Sequence, residues 1–198
     1  QHGGRRFSVT GTPTDAVTMG LRKVIDGAPD VILSGVNRGA NLADEVAYSG
    51  TVSAAIEGAL AGIRSIALSQ VTSKDGAATD DTFEAARQWG PKVLGPLLDT
   101  PLPKRTLVNV NFPALPGDAI NGIRAVRQGF HDYSRGTVVE GRDPRGFQYY
   151  WFGLQAIEHT LDHGTDLEAI DEGYVSVTPL QLDFTHHASL GELGERFT

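Results

Sequence analysis

The sequence predicts an α/β fold with a largely parallel sheet, followed by a hairpin or extended arm. Strand-like and helix-like segments alternate over the residues before Gly129, which is typical of repeated strand–helix units. Polar, glycine-bearing loops follow the predicted strands. With 198 residues, 40% of them hydrophobic, the chain is long enough to form one domain with its own core.

Short apolar runs predict the strands of this sheet. They lie at residues 7–9, 31–33, 63–69, 107–111 and 175–180. The polar residues 34–41 read as a loop that follows the second strand.

Capping residues predict the helices. Thr12, Pro13 and Asp15 occupy the N-cap, first and third helical positions of one helix. Its apolar residues are expected to pack on the sheet, and they are Val17, Leu21, Val24 and Ile25. Further helices are predicted from Ser49 to about Ala61, from a Thr79 cap to about Leu98, and at residues 166–169.

The character of the sequence changes near Gly129. Several glycines flank an aromatic run at residues 147–152, which predicts the hairpin or arm. We divide the chain into an α/β core at residues 1–128 and a segment at 129–198 that completes the same domain. Because exposed apolar patches usually mark contacts between chains, we expect a homodimer or homotetramer.

Composition excludes several kinds of protein. The chain has no cysteine, which rules out disulfides, thiolate metal sites and a cysteine nucleophile. Such a chain suits a reducing compartment, and we expect it in the cytoplasm. Its net charge of -7 argues against binding a nucleic-acid duplex, which needs a basic surface. No apolar run approaches the roughly 20 residues that span a bilayer, so no membrane partner is expected.

Three polar loops are candidates for a binding site, because α/β sheets bind ligands beyond the carboxyl ends of their strands. The first contains Gly11 and Thr12, the second Asn37, and the third Ser49, Gly50 and Thr51. Glycine amides and hydroxyl groups at a helix start can bind an anion. Each loop alone also fits a purely structural role as a cap or turn.

Other polar residues are weaker candidates. Asp44 and Glu45 fit a solvated loop better than a metal pair, and His186 and His187 fit a surface pair. Glu57 is either a partner of Arg64 or a surface residue. Asp80 and Asp81 favour a helix start electrostatically. No P-loop, HExxH or G-x-G-x-x-G motif is present, which leaves a dehydrogenase or a transferase of the Rossmann type without support.

Four separated blocks of sequence resemble the SurE family of nucleotidases. They are VTGTPTDAV at residues 9–17, PDVILSGVNRGANLADEVAYSGTVSAAIEGALAGIRSIALSQ at 29–70, NVNFP at 109–113 and GTDLEAIDEGYVSVTPLQLD at 164–183. The resemblance covers nearly the whole chain in the right order. It implies a Rossmann-like α/β core with a protruding arm used in oligomerisation.

The resemblance also implies an activity and a site. It indicates a phosphomonoesterase, of the 5'-nucleotidase type, that hydrolyses nucleoside monophosphates with a divalent cation such as Mn²⁺ or Mg²⁺. Asn37 of SGVN matches the asparagine that binds the metal. Residues expected to line the pocket and contact phosphate or substrate are Gly11, Thr12, Ser49, Gly50 and Thr51.

The family's paired aspartates and its metal-binding serine find no match in these 198 residues. We therefore expect them in a segment upstream of Gln1, with the catalytic base or nucleophile among them. The alternative is a non-catalytic module that binds nucleotide or phosphate. A purely structural oligomer would explain the aromatic run but not the three polar loops.

Overall fold

A computed structural model of the protein describes residues 2–72, 83–130, 137–153 and 164–197. Its strands are β1 (Val31–Arg38), β2 (Arg64–Gln70), β3 (Thr106–Phe112), β4 (Gly122–Ala125), β5 (Thr137–Arg142), β6 (Gln148–Gly153) and β7 (Tyr174–Gln181). Its α-helices are α1 (Pro13–Met19), α2 (Gly50–Leu60), α3 (Glu84–Asp99), α4 (Asp166–Asp171) and α5 (His187–Arg196). None of the helices in these ranges combines the length and the apolarity needed to cross a bilayer.

Five of the strands form the central sheet, in the order β1-β2-β3-β7-β4. Strands β1, β2 and β3 are parallel to one another, β7 is antiparallel to β3, and β4 is parallel to β7. The predicted α/β fold with a mostly parallel sheet is therefore confirmed. Strand β7 comes from the C-terminal segment and lies inside the sheet, so residues before and after Gly129 share one core.

The two faces of the sheet bury different side chains, because neighbouring residues of a strand point to opposite sides. One face packs against α3, and its apolar residues include Ile66, Val108, Val110, Phe112 and Val175. The other face packs against α2 through Val52, Ala55, Ala59, Ala67, Leu107 and Leu180. On this second face the buried residues become polar toward the ends of β2 and β3, at Ser69, Asn109 and Asn111.

Helix α2 runs back across the sheet toward the beginning of β1 and β2. A Cβ atom on Gly58, late in α2, would lie 2.3 Å from Ser65 Oγ and 2.5 Å from Ile32 Cδ1. Only a glycine allows so close an approach of helix and strands. Because Gly58 lies over the beginning of these strands, the N-terminus of α2 lies toward their carboxyl ends.

Several predicted elements are confirmed and others are wrong. Helix α2 and strands β2, β3 and β7 lie within a residue or so of prediction. Residues 7–9 are not a strand, because they pair with no other strand within the described chain. Phe7 and Val9 are 48% and 37% exposed. Residues 34–38 belong to β1 rather than to a loop. Thr79, Asp80 and Asp81 lie outside the described residues.

The first helix packs differently from the prediction. Helix α1 ends at Met19 and continues as a π-helical turn, Gly20–Val24. No residue of α1 is buried, Val24 and Ile25 are 36% and 39% exposed, and the helix contacts α2. The main contact of this helix is therefore with α2 and not with the sheet, contrary to the prediction.

The predicted hairpin is present, and its aromatic residues Tyr149, Tyr150 and Trp151 are exposed. Strands β5 and β6 form a separate antiparallel pair, in which Val139 lies opposite Trp151 and Glu140 opposite Tyr150. Trp151 is 70% exposed and Tyr150 is 56% exposed. The hairpin therefore presents an apolar surface outside the core.

Candidate active site

Asn37 lies near the carboxyl end of β1 and pairs in register with Ser69 at the end of β2. Its Nδ2 donates a hydrogen bond to the carbonyl oxygen of Gly39, at 3.0 Å. This bond orients the amide and leaves Oδ1 without a partner among the described residues. A neutral oxygen of this kind is a suitable ligand for a hard divalent cation.

The N-terminus of α2 supplies free hydrogen-bond donors. Ser49 is the N-cap, and its Oγ accepts a hydrogen bond from the amide of Val52, at 3.1 Å. The amides of Gly50 and Thr51, at the first two helical positions, have no acceptor in the described part of the chain, and neither has the Thr51 hydroxyl. Gly50 is exposed and Thr51 is half-buried. The predicted helix start is confirmed, and it offers an anion two amides and one hydroxyl.

The first candidate loop packs beside this helix start. A Cβ atom on Gly50 would lie 3.2 Å from Cγ of Pro13, so the N-termini of α1 and α2 are in contact. Thr12 is the predicted N-cap, and its amide and hydroxyl both donate to Asp15 Oδ2 at 2.7 Å. These bonds, that of the amide first, lower the pKa of Asp15. Both hydrogen-bond donors of Thr12 are therefore engaged within its own helix. Gly11 has no side chain and so leaves room for the Asp15 carboxylate.

A buried polar layer, which we did not predict, supports the loop after β1. Asn41 donates through its amide to Asn111 Oδ1 at 2.8 Å and through Nδ2 to Ser69 Oγ at 2.7 Å. The Asn41 carbonyl oxygen accepts from Nδ2 of Asn109 at 2.8 Å and of Asn111 at 3.1 Å. The signal in the sequence is the alternation Val108-Asn109-Val110-Asn111. A strand inside a sheet that is covered by helices is buried on both faces, so its asparagines indicate a polar interior.

A buried carboxylate holds the same loop from the other side. Asp166 is 0% exposed, and Oδ2 accepts a hydrogen bond from the amide of Ala43 at 2.9 Å. Its Oδ1 accepts from the amides of Gly129 at 2.8 Å and Leu167 at 3.0 Å. Burial raises the pKa of Asp166, while these amide bonds oppose the rise. The helix signal at residues 166–169 was visible in the sequence, but the contact with Ala43 was not.

The weaker candidates have structural surroundings. Asp44 and Glu45 lie in a 3-10 turn, Ala43–Tyr48, where Glu45 Oε2 accepts from the amide of Leu42. Arg64 donates to the carbonyl oxygen of Leu97 and not to Glu57. His186 and His187 are exposed; their ring nitrogens are paired with Ser189 Oγ and Asp183 Oδ2, respectively. No group of three acidic or histidine residues able to hold a metal occurs within residues 2–72, 83–130, 137–153 and 164–197.

A known protein family matches most of the chain. The model of the family described as "Survival protein SurE" matches residues 1–135. That span includes β1 with Asn37, and the whole of α2.

Individual relatives match over nearly the full chain. A protein of Erythrobacter litoralis named 5'-nucleotidase SurE is 68% identical over 198 residues, which are 100% of this chain and 78% of that protein. A protein of the same name from Rhizorhabdus wittichii is 57% identical, over 96% of this chain and 75% of its own length. The crystal structure of the SurE protein from Aquifex aeolicus superposes with a TM-score of 0.77 at 36% identity, over 95% of this chain and 74% of that one. This chain belongs to the SurE family.

Proposed function

We propose that this protein is a metal-dependent 5'-nucleotidase, which hydrolyses nucleoside monophosphates to nucleoside and inorganic phosphate. Its relatives in Erythrobacter litoralis and Rhizorhabdus wittichii carry the name 5'-nucleotidase SurE. The observation that carries the proposal is the stretch from Asn37 to Thr51. It begins with a free side-chain oxygen and ends with free amides and a hydroxyl, all toward the carboxyl ends of the parallel strands.

The residues of this stretch have separate tasks in the proposed reaction. The amides of Gly50 and Thr51 bind the phosphate and stabilise the negative charge that develops on its oxygens. Ser49 keeps these amides in place as the helix cap, while Gly11 and Thr12 line the pocket through the contact of Pro13 with Gly50. They form its wall, since the Thr12 donors are engaged by Asp15.

Asn37 is the proposed metal ligand. Its free Oδ1 fits a hard cation, and we propose Mn²⁺ or Mg²⁺ as the ion. One neutral oxygen binds such a cation weakly, because it prefers carboxylates and water. We propose that the carboxylate ligands come from outside the described residues, since no group of three acidic or histidine residues able to hold a metal occurs within them. When bound, such a cation would supply Lewis-acid chemistry, which would polarise the phosphoryl group and activate water for attack.

Phosphate release tests the proposed activity. Protein made from the complete gene is incubated with a panel of nucleoside monophosphates, with Mn²⁺ or Mg²⁺ and after removal of metal by EDTA. We expect release that depends on added metal and stops with EDTA. Release that persists after EDTA would contradict the metal requirement. Nucleotide binding without release under any condition would instead favour the non-catalytic module, which the names of the relatives do not favour.

Substitution of Thr51 by valine tests the anion site at α2. We expect kcat/KM to fall roughly tenfold to 100-fold, because a hydrogen bond to a charged group contributes about 1.5–3 kcal/mol. Valine keeps the shape of threonine, so the helix is retained. Ser53→Ala is the matched control, because Ser53 lies two residues further along α2 and has no side-chain bond in the described structure. Equal kinetics for Thr51→Val and the unmodified protein would exclude a contact between this hydroxyl and the phosphate.

We further propose that the hairpin of β5 and β6 joins two or four copies of the chain. The exposed Tyr150 and Trp151 present an apolar surface that a second copy would bury. The molar mass measured by light scattering is expected to be that of a dimer or tetramer, and Trp151→Glu is expected to lower it. A monomeric mass for the unmodified protein would refute this proposal.

A further inference from the structure

Ala43 occupies a backbone conformation that its surroundings must hold in place. Its φ is +49°, a left-handed value that residues with a side chain rarely adopt. The residue is 0% exposed. Strained backbone of this kind persists only when neighbouring groups fix it, and it occurs often at functional sites.

Two side chains from distant parts of the chain form hydrogen bonds with the backbone amide and carbonyl oxygen of Ala43. Asp166 Oδ2 accepts the hydrogen bond of the Ala43 amide at 2.9 Å. Gln128 Nε2 donates to the Ala43 carbonyl oxygen, also at 2.9 Å. The two segments that carry these side chains are held together, since the amide of Asp166 donates to the carbonyl oxygen of Arg127 and the amide of Gly129 donates to Asp166 Oδ1. We call Asp166 and Gln128 the Ala43 clamp.

Along the chain, Ala43 and its clamp lie between the two parts of the proposed site, which are Asn37 and the N-terminus of α2. Two residues before Ala43, Asn41 is fixed to β2 and β3 by the polar layer. After Ala43, the 3-10 turn leads directly to Ser49 and the free amides of α2. The polar layer therefore fixes the Asn37 side of the stretch, and the clamp fixes the chain where the 3-10 turn toward α2 begins. An error of about 1 Å in the position of a catalytic group can cost on the order of 100-fold in rate.

We propose that Asp166 and Gln128 are positioning residues for the reaction: by clamping Ala43 they hold the amides of Gly50 and Thr51 at the correct distance from Asn37. The proposal rests on the proposed nucleotidase function. Neither residue contacts substrate. Their effect passes through the backbone at residues 43–49.

Two substitutions weaken the clamp at opposite atoms of Ala43. Asp166→Asn keeps the size of the side chain but turns one acceptor into an NH₂ group, which faces a backbone amide. Gln128→Met removes the donor to the Ala43 carbonyl and leaves the carboxylate. Both are compared with Thr165→Ala, which removes the Oγ1 cap of α4 without touching Ala43. All variants are made in protein from the complete gene and assayed below their unfolding temperatures, with the folded fraction measured by circular dichroism.

We expect both clamp variants to lower kcat by roughly tenfold or more and kcat/KM by at least as much, since the displaced amides bind the phosphate and also stabilise the transition state. Hydrogen exchange at the Ala43 amide should accelerate in both, and Thr165→Ala should change neither quantity. An unchanged kcat, or a loss that Thr165→Ala reproduces at equal stability, would overturn the proposal.

Hydrogen exchange separates this proposal from the proposed function. If the unmodified protein releases no phosphate, the function fails, and the clamp is then judged by exchange at Ala43 and by affinity for inorganic phosphate. Faster exchange together with weaker phosphate binding in both clamp variants would still support it. Unchanged hydrogen exchange at the Ala43 amide in both variants would contradict the positioning proposal.

Discussion

Replacing Asn37 by alanine is expected to weaken binding of Mn²⁺ or Mg²⁺ and to lower turnover by on the order of 100-fold. The side chain offers one free oxygen, already oriented by the bond from its Nδ2 to Gly39. Loss of groups that merely orient metal ligands typically costs about 10–100-fold in affinity or activity, and loss of a ligand should cost at least as much. Metal affinity is measured by calorimetry, and turnover by phosphate release at saturating metal.

Asp30→Ala is the matched control for this prediction. Asp30 directly precedes β1, at the opposite end of the strand from Asn37, and its carboxylate is chemically the better ligand. If metal binding depends on a position at the carboxyl end of β1, we expect Asp30→Ala to leave metal affinity unchanged. An Asn37→Ala protein with normal metal affinity and turnover would remove Asn37 from the site and leave the anion-binding start of α2 as its only supported part.

Local signals in the sequence predicted the parts of the site that depend on neighbouring residues. The cap at Ser49 and the helix after it are examples, because a hydroxyl before an alanine-rich run is a local pattern. The capping box of Thr12 and Asp15 is another. The role of Asn37 came from the family resemblance alone, since an asparagine in a glycine-containing polar segment also fits an ordinary turn.

Contacts between distant residues explain what the sequence did not predict. Asn41 and Asn111 are 70 residues apart, and Ala43 and Asp166 are 123 apart, so no periodicity links them. The wrong prediction for residues 34–38 has a related cause. Their polar, glycine-containing sequence is typical of a loop, but pairing with β2 extends β1 to Arg38, with a shift of register between Ser34 and Asn37.

Gly35 lies in this irregular part of β1, and we expect Gly35→Ala to lower the free energy of unfolding strongly. Gly35 has a φ of +129°, and a Cβ atom there would lie 2.2 Å from the carbonyl oxygen of Leu68. That oxygen belongs to β2, which is paired on both sides, so β1 must move instead. Backbone strain of about 1–2 kcal/mol and overpacking of about 1–3 kcal/mol predict a loss of about 2–5 kcal/mol in the free energy of unfolding.

Gly62→Ala separates the two causes. Gly62 has a φ of +80°, but a Cβ atom there would meet nothing within 4 Å, so this variant should lose only the backbone part, about 1–2 kcal/mol. Urea unfolding of both proteins measures the difference, and equal losses would show that the contact with Leu68 is relieved without cost. Because Asn37 follows Gly35 by two residues, a shift of β1 should also weaken metal binding in the folded fraction of Gly35→Ala. Gly62→Ala, at the far end of α2, should bind metal normally, since its strain does not reach the end of β1.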